Sequence, residues 1–200
     1  TRMHGVLLIG AALAEYGQSQ KIFAPDRNWK EKLSHVLRTL PAILLPLLGT
    51  AVYLLLNWQV DGDPFAFTTH QQHWSQGFLW ISRVVEYLAH NAIFYSDSSA
   101  RLEIWIPEIL LFVVFFALMW QAAGRHRSMY TLYAFAALVL DFSLSWLLSA
   151  GRYLSCALPF FWFTACLTRE KPRLTAAAAA VMAALFAINL AGYLNWAQIM

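Results

Sequence analysis

Charge is scarce in this 200-residue chain: 14 Lys and Arg and 11 Asp and Glu, 12% of all residues. Soluble domains carry about 25%, so this composition excludes an ordinary globular domain and a disordered tail. Cysteine is almost missing, with only Cys156 and Cys166, both in one apolar stretch. That excludes a disulfide scaffold and a Cys-rich metal pattern, and the pair reads as small core residues. The same charge-poor composition excludes a nucleic-acid-binding module, so no nucleic-acid partner is expected; the formal net charge of +3 matters by its placement. There is no phosphate-cradling glycine loop, nucleophile elbow or dinucleotide fingerprint. No basic segment leads to a small-residue cleavage site, so no signal peptide is visible. The chain starts at Thr1 with an apolar run under way by Gly5, and so reads as the continuation of a longer protein.

Apolar side chains make up 60% of the residues, and the mean hydropathy is +0.51. This is the composition of an integral membrane protein. A spanning helix needs roughly 17–25 mostly apolar residues to cross about 30 Å of hydrocarbon. Six stretches approach that: Gly5–Tyr16, Leu37–Trp58, Ile104–Gln121, Met129–Leu148, Tyr153–Thr168 and Leu174–Leu194. The expected fold is all-α, a polytopic bundle of five or six spans. The last stretch is rich in alanine (Ala176–Ala180, Ala183, Ala184), which allows close helix approach in lipid or simply marks a weakly hydrophobic helix.

The cations choose a topology. Lys21, Arg27, Lys30, Lys32 and Arg38 fall between the first two stretches; Arg125 and Arg127, and Arg169, Lys171 and Arg173, fill two later turns. These ten share one side if residues 76–98 do not cross, leaving Arg2, Arg83, Arg101 and Arg152 on the other. By the positive-inside rule the basic turns are cytoplasmic and the 57–101 segment faces outward. Within it, Gly77–Tyr95 places Arg83, Glu86 and His90 on one helical stripe, as in a helix lying in the outer interface with its apolar face in lipid.

The chemistry is expected on that outer face. Asp63 followed by Pro64 is a helix start, leading into a short helix from Phe65 to about Gln76. It carries His70, Gln71, His73 and Trp74, either as an amphipathic interfacial helix or as part of a polar-ligand site, with Gln for hydroxyls and Trp for stacking on a sugar. His70 and His73 lack a third ligand of diagnostic spacing; no cofactor is indicated and a divalent metal is only compatible. Arg152, beside Tyr153, either snorkels to headgroups or binds a phosphate through its planar fork. Glu108 and Asp141 lie in or near spans, where a carboxylate is costly and needs a partner. Glu15 is expected to pair with the basic linker that follows it.

Three segments carry a resemblance. Thr1-Arg2 and Gly5 open an apolar run ending in Ala14-Glu15-Tyr16; Gly62-Asp63-Pro64-Phe65-Ala66-Phe67 is followed by Gln71 and Trp74; and Ser149-x-x-Arg152-Tyr153 is followed by Pro159 and Phe160. In order and spacing these resemble bacterial relatives of PIG-V, the mannosyltransferases of glycosylphosphatidylinositol assembly, which have the GT-C glycosyltransferase fold. The resemblance implies transfer of mannose or another hexose from a polyprenyl-phosphate sugar to an acceptor hydroxyl, on a lipid-linked or glycan acceptor, at the outer face of a bacterial cytoplasmic (inner) membrane. Arg152 and Tyr153 would hold the donor phosphate; Gln71, Trp74, Asp63 and His70 would contact sugar or lipid head. Ser75-Gln76 stands where the family has Gly-Arg, so one phosphate-binding arginine is absent. The family's catalytic carboxylate lies in a first outer loop that these residues do not include, so the chain would be the C-terminal part of the enzyme, its catalytic residue unknown. Two other classes stay open: a non-catalytic membrane scaffold subunit, and a transporter fragment in which Asp141, Arg152 and Glu108 line a solute path.

Overall fold

The computed structural model describes residues 3–20, 29–72, 77–145 and 150–194. All regular structure among them is helical, apart from one isolated antiparallel bridge, Phe78 to Leu144. A 3-10 turn, Met3–Val6, leads into α1 (Leu7–Ser19); α2 (Trp29–Ile43), α3 (Pro46–Asp61), α4 (Ala66–Gln72) and α5 (Ile81–Phe94) follow. Next come α6 (Ser98–Ala100), a π turn (Arg101–Trp105), α7 (Ile106–Ala122), α8 (Ser128–Asp141), α9 (Ala150–Leu154), α10 (Leu158–Thr168) and α11 (Pro172–Leu194).

Among the described residues two helices are long and apolar enough to cross a membrane: the continuous Ser98–Ala122, which runs from α6 through α7, and Pro172–Gly192 of α11. A third results if α2 and α3 form one broken span, bent by 41° between Leu33–Ile43 and Pro46–Asp61. The expected straight helix over Leu37–Trp58 is therefore corrected. Pro46 has no N–H to donate to the Ala42 carbonyl, which Leu45 N–H takes instead at 3.3 Å, so the regular ladder breaks at Leu44–Leu45.

Two other expected spans are corrected as well. α8 ends at Asp141 because the following backbone pairs elsewhere: Leu79 N–H donates to Ser143 O at 3.0 Å and Ser145 N–H to Gly77 O at 2.9 Å. The stretch from Tyr153 to Thr168 is interrupted at Ser155–Ala157, and Pro159 opens α10 as a separate helix. At about 1.5 Å per residue, α8 and α10 are some 21 and 16 Å long, short of a roughly 30 Å hydrocarbon layer.

The chain divides into two compact units, Thr1–Ser75 with Ala123–Ala137, and Gln76–Ala122 with Leu138–Met200. In the first, the Met3–Val6 turn packs on α3 and α3 on α4. Glu15 closes it, accepting from Ser128 Oγ at 2.7 Å and Met129 N at 3.2 Å, so the carboxylate faces the positive end of α8. Of the basic linker expected to pair with Glu15, Lys21 and Arg27 lie outside the described residues.

In the second unit α7 is the axis. α5 packs along it and the π turn; Val84 and Leu88 are fully buried, while Arg83, Glu86 and His90 are exposed, with Arg83 and Glu86 paired at 3.0 Å. The amphipathic pattern is as expected, but the Val84–Leu88 face rests on protein, not lipid. Trp105, buried between Tyr87 and Tyr95 (ring centroids 6.1 and 5.4 Å), and Arg101 Nη1, which donates to Ile93 O at 3.2 Å, fasten the helix. The π turn ends two residues before Pro107, whose missing N–H denies the Glu103 carbonyl its usual donor. On another side Phe115 meets Phe160 edge-to-face at 4.4 Å. Cys156 and Cys166 form no disulfide and are exposed, a correction to their reading as core residues: Cys156 stands before α10 and Cys166 on its exposed side, away from the buried Pro159, Phe160 and Phe163.

Candidate functional site

Helix α9 carries the Arg-Tyr motif. Five residues cannot hold a helix by hydrogen bonding alone, so its placement is set by what it touches. Both oxygens of Glu108, on α7, face the amide that opens it: Ala150 N–H donates to Oε1 at 2.9 Å and Oε2 at 3.3 Å. Glu108 and Ala150 are fully buried. One residue on, α9 and α7 come so close that a Cβ at Gly151 would stand 3.2 Å from Leu111 Cδ1. Leu154 is completely buried at the end of the helix.

This solves two problems at once. A carboxylate inside an apolar helix needs a hydrogen-bond donor, and a helix start buried in protein needs an acceptor. Each supplies the other. The start of α9 is thereby already occupied by the Glu108 side chain. The Arg152 backbone lies in the middle of α9 and its side chain is outside the described residues; Tyr153 is half-buried.

The second motif is a turn in the first unit. Gly62 ends α3 with φ +72°, a left-handed conformation that glycine adopts freely. Asp63 Oδ1 accepts from Phe65 N at 2.9 Å, and Asn57 Nδ2 donates to Pro64 O at 3.3 Å. Regular helix begins at Ala66, one residue later than expected, with Phe67 against Tyr53 at 5.6 Å. His70 and Gln71 are on α4 with side chains outside the described residues; His73 and Trp74 lie outside them altogether. No group of three His, Cys, Asp or Glu side chains comes together among the described residues.

Just past these motifs the chain is tied to itself. Gly77 N–H donates to Ser145 Oγ at 2.8 Å, beside the Phe78–Leu144 bridge. Gly77 follows Trp74 by three residues and Ser145 precedes Arg152 by seven. Asp63, His70 and Gln71 belong to one compact unit, Arg152 and Tyr153 to the other.

No protein-family model matches the chain, and no curated protein or solved structure is similar to it. The site is therefore interpreted from its own atoms. In these, Glu108 has a place that sequence reasoning did not foresee. Its cost in an apolar run was visible; its partner, a backbone amide 42 positions away, carried no side-chain signal. Asp141, another buried acid, is the last residue of α8.

Proposed function

We propose that this chain is part of a multi-pass bacterial inner-membrane glycosyltransferase, PIG-V-like and of the GT-C kind, that moves mannose or another hexose from a polyprenyl-phosphate sugar to an acceptor hydroxyl at the outer face. The three ordered motifs suggest it. The observation that supports it lies within one unit: Glu108 receives the Ala150 N–H and so fixes the start of the helix whose backbone carries Arg152.

In the proposed reaction the acceptor oxygen attacks the anomeric carbon, the bond from that carbon to the phosphate oxygen breaks, and the electron pair leaves on the phosphate. The acceptor proton passes to a carboxylate base, which the resemblance assigns to an outer loop upstream of these residues. Glu108 is not that base, because both its oxygens are buried against Ala150 N–H. Arg152 stabilises the charge growing on the phosphate; Tyr153 orients it. Gln71, Trp74 and His70 contact sugar or lipid head, and Asp63 shapes the turn before them. Glu108 is a positioning residue: it holds the helix on which Arg152 stands.

Membranes containing the full-length protein should transfer labelled mannose from polyprenyl-phosphate mannose. Arg152→Ala and Arg152→Lys, matched for expression, should each lose about 10²–10³-fold, the cost of removing one transition-state donor, since lysine lacks the two-pronged geometry. Unchanged transfer in both variants would remove Arg152 from the site. Failure with every polyprenyl-phosphate sugar would favour a scaffold subunit, a reading for which the exposed apolar surface of α11 is the supporting observation.

A further inference from the structure

Helix α2 carries two stripes side by side. Trp29, Leu33 and Leu37 recur every four residues, and so do Lys30, Ser34 and Arg38, each one position further round. Together they line a shallow, open groove of about 530 Å³ along the face of this one helix. The apolar stripe is unusually bare for a helix with so polar an opposite side: Trp29 is 66% exposed and Leu37 56%. Unlike α3, which α2 leaves at a 41° bend, α2 is strongly amphipathic. A basic amphipathic helix bearing Trp and Leu lies in the membrane interface, where its cations attract anionic headgroups.

We propose that this groove binds one anionic phospholipid, with the headgroup phosphate between Lys30 and Arg38 and hydrocarbon along Trp29, Leu33 and Leu37. Charge complementarity selects the headgroup. A soluble anion would use the cations and leave the apolar stripe uncovered; a zwitterionic lipid would cover the stripe and gain little from the cations. The site is independent of the donor sugar and of any transfer reaction.

The test is native mass spectrometry of the full chain released from micelles holding equal amounts of phosphatidylglycerol and phosphatidylcholine. The native chain should retain one phosphatidylglycerol tightly. Lys30→Gln with Arg38→Gln should weaken that lipid about thirtyfold, because each interfacial cation contributes roughly 1 kcal/mol and 1.4 kcal/mol is tenfold. The other basic turns are untouched in this variant, which isolates the contribution of α2. Lys30→Arg with Arg38→Lys, which keeps both charges, should retain the lipid, and Trp29→Ala with Leu37→Ala should weaken both lipids alike. Equal retention of the two lipids by the native chain would overturn the proposal. So would an unaffected double Gln variant, loss in the charge-preserving variant, or displacement of the lipid by millimolar inorganic phosphate.

Discussion

Helices Ser98–Ala122 and Pro172–Gly192 have nearly the same mean hydropathy, 2.2 and 2.0, and opposite roles in the packing. The first is a docking post: α5 lies along it, Phe160 of α10 meets it edge-to-face, and its one buried acid receives the start of α9. The second touches its unit near its beginning, where Thr175 Oγ1 donates to Thr168 O at 3.0 Å; Val181, Phe186 and Ile188 further along are exposed. Hydropathy measures how willingly a helix leaves water. It says nothing about whether protein or lipid then covers it, because lipid tails are as apolar as leucine.

That contrast can be broken, the largest effect first. Glu108→Ala leaves the buried Ala150 N–H without an acceptor, worth about 1–3 kcal/mol, and also vacates side-chain volume. A loss of roughly 3 kcal/mol should appear as lowered unfolding midpoints in micelles, with most of it restored in Glu108→Gln, whose amide oxygen still accepts. If Glu108→Ala unfolds like the native chain, α7 does not anchor α9.

Next, Gly151→Val should cost about 1–3 kcal/mol by overpacking α9 against Leu111. Gly151→Ala should be near neutral, because the tip of Leu111 can yield a few tenths of an ångström and alanine favours the helix. Equal tolerance of alanine and valine would mean that the two helices are not in close contact.

On α11, Phe186→Ala should change stability by no more than about 0.5 kcal/mol, as for a side chain away from any packed feature. A larger loss would show that a partner covers this face and would erase the difference between the two helices.

The smallest effect lies at the head of the Ser98–Ala122 helix. Asp97 is held below the ordinary carboxylate value of 3.8 by the Ser99 hydroxyl first, then by the Ser99 amide. With the folded value depressed, its contribution is fully present above the ordinary value and disappears as pH falls through the lowered one. The Ser99 amide resonance should therefore titrate below pH 3.8, and Asp97→Asn should flatten that titration.

Much of the fold was legible. The apolar stretches at 104–121 and 174–194 became continuous helices, seven residues longer in the first case and two in the second, since backbone in hydrocarbon must satisfy its own hydrogen bonds. The Arg83, Glu86 and His90 stripe marked the exposed side of α5. The breaks at Leu44–Leu45 and before Pro159 were overlooked because a hydropathy window sums residues without asking where the ladder loses a donor; Pro46 and Pro159 were the signals. Of the candidate site, the turn at Gly62-Asp63-Pro64 could be read locally, since its bonds run between residues two to seven apart. The Glu15 bonds to Ser128 and Met129 and the Gly77 bond to Ser145 span 68 to 114 positions, and no local pattern encodes them.

By itself the sequence determined an all-helical, membrane-compatible chain and the positions of its motifs, because chain length, apolar periodicity and turn residues act over a few neighbouring positions. Only the tertiary structure decided that Glu108 holds α9, that Gly151 allows the two helices to touch, and that protein packs against part of α7 while the described side chains of α11 are largely exposed. Those outcomes depend on which atoms of distant segments meet, and a backbone amide at Ala150 has no side chain by which the sequence could announce it.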